Sequence, residues 1–124
     1  MKTLRTINYH IKGTPTMDEV GIGSVKGNYI KADVYYSEGG YSYFTYKNTP
    51  RGYFMSVVDV GMARDNYGIS TSHTLFNDRG RKYMIKEVTR QSKKAEAEAL
   101  AYFEEHIADF VKQVYPECET EVEE

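Results

Sequence analysis

The stretch at residues 29–36, YIKADVYY, decides the fold. Its apolar members recur at every second position, with Ile30, Ala32, Val34 and Tyr36 on one side and Lys31, Asp33 and Tyr35 on the other. Successive side chains of an extended chain point to opposite faces of a sheet, so this period predicts a strand with one core face and one mixed face. Residues 37–40, SEGG, carry two glycines able to take positive φ and predict a hairpin loop. Residues 41–47 are then expected as the return strand, 48–52 (NTPRG) as the next turn, and 53–60 as a further strand.

Upstream, Ile7, Tyr9 and Ile11 alternate with Thr6, Asn8 and His10, which predicts a first strand over 3–12. A turn at 13–19 contains Pro15. A strand at 20–25 follows, bulged where Gly21 and Gly23 have no side chain to pack, and Gly27 with Asn28 predicts a tight turn. Downstream of a turn at 64–66, residues 67–76 alternate again, with Ile69, Thr71, His73 and Leu75 on one face, until residues 77–80 break the pattern.

From Arg81 the apolar spacing becomes helical. Met84, Ile85 and Val88 form one stripe, while Ala99, Leu100, Phe103, Ile107, Phe110, Val111 and Val114 form a second that is rotated from it. The mismatch predicts a short helix, a break near Gln91 and Ser92, then a long helix capped by Ser92, with Glu96 in its first turn, running to about Tyr115 and ended by Pro116. Residues 117–124 hold five glutamates and are expected to be disordered. The fold class is therefore α+β: a twisted antiparallel sheet of about five to six strands, then a short helix and a long C-terminal helix packed on one face. One domain at 1–116 and an acidic tail at 117–124 are expected.

The chain has 124 residues, 40% apolar and 27% charged, enough for a single core. No apolar run has the length of a signal core or a membrane span, and Cys118 is the sole cysteine, so a soluble cytoplasmic protein with no internal disulfide and no membrane contact is expected. The net charge of −2 conceals a split: residues 1–94 hold 15 basic and 8 acidic side chains, residues 95–124 hold 1 and 10. Such asymmetry suits either an acidic partner or charge matching within the fold.

Catalytic and metal chemistry find no support in the spacing. His10, His73 and His106 stand far apart, in no ligand pattern. Residues 21–27, GIGSVKG, match neither phosphate-loop motif and precede a strand, not a helix. No nucleophile–base pairing or carboxylate pair stands out, so a non-enzymatic protein without cofactor is expected.

Two features point to binding. Arg79, Lys82, Lys86, Arg90 and Lys93 fall within an arc of about 80° if their segment is helical, forming a cationic stripe that either meets phosphates or is a solvated face balancing the acidic helix. If the 37–40 loop holds two or four residues, the mixed sheet face brings Tyr29, Lys31, Asp33 and Tyr35 beside Ser42, Phe44 and Tyr46, and a five-residue loop at 48–52 adds Phe54, Ser56 and Val58. Rings among charges suit stacking on single-stranded nucleic acid, and equally a protein interface or a homodimer face. The candidate partner-binding residues are Tyr35, Phe44, Tyr46, Arg79, Lys82, Lys86 and Arg90. The expected partner is a macromolecule, either nucleic acid or a host protein.

The runs VYYSEGGYSYFTYKNTPRGYFMSVVDV (34–60) and EVTRQSKKAEAEAL (87–100) resemble short proteins of phages and mobile elements of Bacteroidales-type gut bacteria, through Tyr35, Tyr36, Ser37, Gly39, Gly40, Tyr43, Phe44, Arg51, Gly52, Tyr53, Ser56 and Val57, then Ser92, Lys94, Ala95, Glu96 and Ala97. The resemblance covers about half the chain and implies a setting in which small proteins act by binding, on nucleic acid or as inhibitors of host defence complexes. The order of strands followed by a helix also resembles PUR-type nucleic-acid modules in topology.

Overall fold

The alternation at residues 29–36 becomes the centre of a long strand, β2 (Gly23–Ser37), in a computed structural model that describes residues 2–16, 19, 23–65, 68–73 and 80–123. On one side it pairs antiparallel with β1 (Lys2–Ile11), and on the other with β5 (Gly52–Asp65). Between β2 and β5 the chain makes a separate two-stranded excursion, β3 (Gly40–Ser42) and β4 (Lys47–Thr49). The outer edge of β5 is shared by β6 (Gly68–His73) and β7 (Arg81–Glu87), and β1 takes β8 (Thr120–Glu123) along its own outer edge. The main sheet thus has six strands, in the order β6-β5-β2-β1-β8 with β7 also on β5.

The one helix among the described residues, α1 (Lys93–Val114), covers the face that carries Ile30, Ala32, Val34 and Tyr36. It begins as its sequence dictates: Ser92 is the N-cap, in extended conformation, and its hydroxyl accepts from the Ala95 N–H at 3.1 Å. Ala95, Ala99, Phe103, Ile107 and Val111 recur every fourth residue and are buried against Tyr53, Met55 and Val57 of β5. Two tyrosines pin its ends to β5. The Tyr53 hydroxyl donates to the Ser92 carbonyl at 3.4 Å, and the Tyr115 hydroxyl donates to Asp59 Oδ1 at 3.0 Å while accepting from the Asp59 N–H.

Three expectations are corrected. Residues 81–87, expected as a short helix, are strand β7: the Gly52–Val57 edge of β5 needs hydrogen-bond partners, and so short a segment cannot fix its own period. A register shift opposite Tyr53 and Phe54 interrupts the alternation, which is why Met84 and Ile85 imitate a helical stripe. The tail, expected to be disordered, supplies β8, because Thr120 and Val122 alternate with glutamates and the Asn8–Ile11 edge of β1 offers a ladder. The turn expected at Gly27 and Asn28 is a bulge inside β2, where Gly27 takes φ +72°. Of the strand expected at 20–25, residues 23–25 open β2 and pair with Met62, Ala63 and Arg64 of β5, while residues 20–22, and 77–79 of the expected break, lie outside the described residues.

Candidate functional site

The return strand of β2 is β5, since Tyr35 stands opposite Phe54, Tyr36 opposite Tyr53 and Ser37 opposite Gly52. Residues 41–47, expected in that role, instead form the arm of β3 and β4 with the turn between them. This separates the expected site into parts. Tyr35 lies on the face away from α1, as read from the sequence, but is only 6% exposed and stacks on Phe54 with centroids 5.6 Å apart and planes 14° from parallel. Its face is consumed by that contact, and burial, reinforced by the Asp33 carboxylate, pushes its phenol above the ordinary value.

Phe44 and Tyr46 lie on the arm, 98% and 77% exposed, with Tyr43 at 80% and Tyr41 also exposed. Tyr41 and Tyr43 meet edge to face at 5.0 Å, while Phe44 is the most exposed ring of the arm. The turn is tight: the Tyr46 N–H donates to the Ser42 carbonyl at 2.8 Å, and Tyr46 itself has φ +55°, a left-handed conformation that a side chain makes unfavourable. At the arm's root, Gly39 has φ +71° and no room for a side chain, since a Cβ there would lie 2.4 Å from the Thr49 carbonyl oxygen.

The cationic stripe does not exist as a helical face. Lys82, opposite Ser56, belongs to the face away from α1, whereas Lys86, opposite Tyr53, belongs to the helix side and forms an ion pair with Glu98. That pairing, more than any other influence, lowers the Glu98 carboxyl below its ordinary value. Arg90 is exposed in the loop before α1. Arg79 lies outside the described residues.

A different grouping replaces the stripe. The sheet register puts Ser37, Gly52 and Glu87 side by side and Lys2 next to Tyr36, so the arm springs from the end of the sheet where α1 begins. Arg51 fastens the two together: its Nε donates to the Glu38 carbonyl at 3.3 Å and its Nη1 to the Thr89 carbonyl at 2.6 Å. Around this end stand the exposed Lys2, Lys47, Arg90, Lys93 and Lys94. A collar of cations therefore surrounds the root of an aromatic arm. Tyr41, Tyr43 and Lys47 were not among the candidate binding residues read from the sequence, because 41–47 alternates like a strand of ordinary length.

Among the described residues no cluster of three or more histidine, cysteine or acidic side chains could hold a metal ion, and no helix is long and apolar enough to cross a membrane. No protein-family model matches the chain, and no curated protein or solved structure is significantly similar to it.

Proposed function

We propose that this protein is a non-catalytic binding protein that holds single-stranded nucleic acid with its arm, stacking bases on Tyr43, Phe44 and Tyr46 and meeting phosphates with Lys47, Arg90, Lys93 and Lys94. The observation that carries the reading is the exposure of those three rings, at 77–98%, beside exposed cations. Unpaired bases offer π faces to rings of any orientation, and each stacked base contributes about 1–3 kcal/mol. Duplex DNA hides those faces, so single strands are preferred. The proposed site differs from the one expected from the sequence in using the arm where the sheet face was expected, and the loop and first turn of α1 where a basic helix was expected.

Fluorescence anisotropy with labelled oligonucleotides over a range of salt tests it. Phe44→Ser should weaken binding by about tenfold, in line with loss of one stacking contact, without changing thermal unfolding, because the ring touches little of the fold. Arg90→Glu combined with Lys94→Glu should lower the slope of log K against log salt by about one per lost phosphate contact. Failure of the folded protein to bind any single strand at low salt overturns the proposal.

A further inference from the structure

Away from the arm, where β7 lies under the C-terminal half of α1, Tyr83 is an aromatic residue left 44% exposed at the mouth of a cleft of about 250 Å³. The walls are Tyr83, Tyr102, Phe110 and His106, with Asp109 and Gln113 at the rim and Met55 beneath. Tyr83 and Tyr102 are nearly parallel, 3° apart with centroids at 5.8 Å, and Phe110 stands at 60° to Tyr83 with centroids at 6.2 Å, so two ring planes make a corner. His106 closes one side, 4.1 Å from the Tyr102 ring. The neighbouring Tyr83 side chain, then burial, raise the Tyr102 phenol above its ordinary value, with the Glu105 charge adding to the effect.

Each alternative occupant meets an obstacle. The cleft is smaller than the roughly 300–1,000 Å³ of sites that enclose drug-sized ligands, so it takes a head group. A planar base has no slot, because the parallel pair at 5.8 Å is already in mutual contact. An anion would face Asp109, with Glu105 one turn away, and a metal ion would find one rim carboxylate and a single histidine. A methylated ammonium group meets none of these objections. Its charge is attracted to ring faces within about 6 Å and to the rim carboxylate, and its methyl groups lower the hydration it must shed. Arg81 and Lys82, which line an adjoining groove with Phe110, are the neighbouring cations of the chain's own that it must compete with.

We infer that the Tyr83–Tyr102–Phe110 corner, with Asp109 at its rim, is a site for a methylated ammonium group, carried by a methylated lysine side chain or by a small quaternary amine. The inference is independent of the arm and of nucleic-acid binding. Tetramethylammonium chloride, titrated against the folded protein while NMR follows the tyrosine ring protons, tests it, with sodium chloride of equal ionic strength as control. The expected result is a saturable shift at Tyr83 and Tyr102, weakened at least about fivefold by Tyr83→Leu and also by Asp109→Asn, with thermal unfolding confirming that both variants fold. Choline and a trimethyl-lysine peptide, compared in the same assay, identify the source by whichever binds more tightly, and either outcome upholds the site. No saturable shift, an equal response to sodium chloride, or a shift that Tyr83→Leu leaves intact overturns it.

Discussion

Tyr46 closes its turn at φ +55°, a conformation in which a side chain costs about 1–2 kcal/mol and which glycine adopts freely. A ring kept there, exposed and without a packing role, is consistent with use by something outside the chain. Tyr35 shows the opposite arrangement, a ring spent inside the fold. Its phenol is raised from the ordinary value of 10.0, first by burial and then by the Asp33 carboxylate. The folded state therefore holds that proton more firmly than the unfolded chain does. The resulting stability is complete below about pH 10 and fades as pH climbs through the folded-state value. Tyr9 and Tyr102 are shifted in the same direction. An alkaline absorbance titration should show a late-ionising fraction of phenols that shrinks, without vanishing, in Tyr35→Phe. An unchanged late fraction would refute the assignment to Tyr35.

Strand β7 depends on one close approach. A Cβ at Gly52 would lie 2.3 Å from the Lys86 carbonyl oxygen, so Gly52→Ala must part β5 from β7 and should cost about 2–3 kcal/mol in urea unfolding, near the upper end for single substitutions. Gly40→Ala is the comparison, since its added methyl meets nothing within 4 Å and only the φ of +126° resists it. A cost well below about 1 kcal/mol for Gly52→Ala would contradict the tight β5–β7 contact. What could be read at this scale follows from where the information lies. The alternation through β2 and the Ser92 cap are local patterns, and both were legible; the common face of Lys31, Asp33 and Tyr35 with Phe54, Ser56 and Val58 was read correctly but through an intervening strand at 41–47, where the sheet pairs the two strands directly. The identity of 81–87 was not, because its strand state is imposed by the open edge of β5. The arm was missed for another reason: 41–47 alternates like a strand, and only the pairing of Ser37 with Gly52 reveals that the sheet bypasses it. Seven residues of compatible pattern do not say which partner they pair with.

Across the whole molecule the charge split between residues 1–94 and 95–124 is partly used in holding the helix to the sheet. Arg5 of β1 pairs with Glu104 and Lys86 of β7 with Glu98, on opposite flanks of α1. Exposed pairs of this kind contribute little, so the core residues beneath α1 and the two pinning tyrosines do more to fix it. The cations around the arm's root remain exposed, which is why the candidate surface is legible in the fold and was only hinted at by composition. The tail matters at the same scale. Removing residues 119–124 would uncover the Asn8–Ile11 edge of β1 and should lower the unfolding midpoint and produce concentration-dependent association in sedimentation. A truncated chain that stays monomeric with an unchanged midpoint would show that β8 has no protective role.

Arg51 gives the arm a rigid mounting. One guanidinium spans the carbonyls of Glu38 and Thr89, and the Val88 N–H returns a bond to the Arg51 carbonyl at 3.0 Å, so the hairpin is bolted to the segment that launches the helix. Force applied at the rings travels through that bracket into the first turn of α1, and what grips the protrusion also gains leverage on the layer above the core.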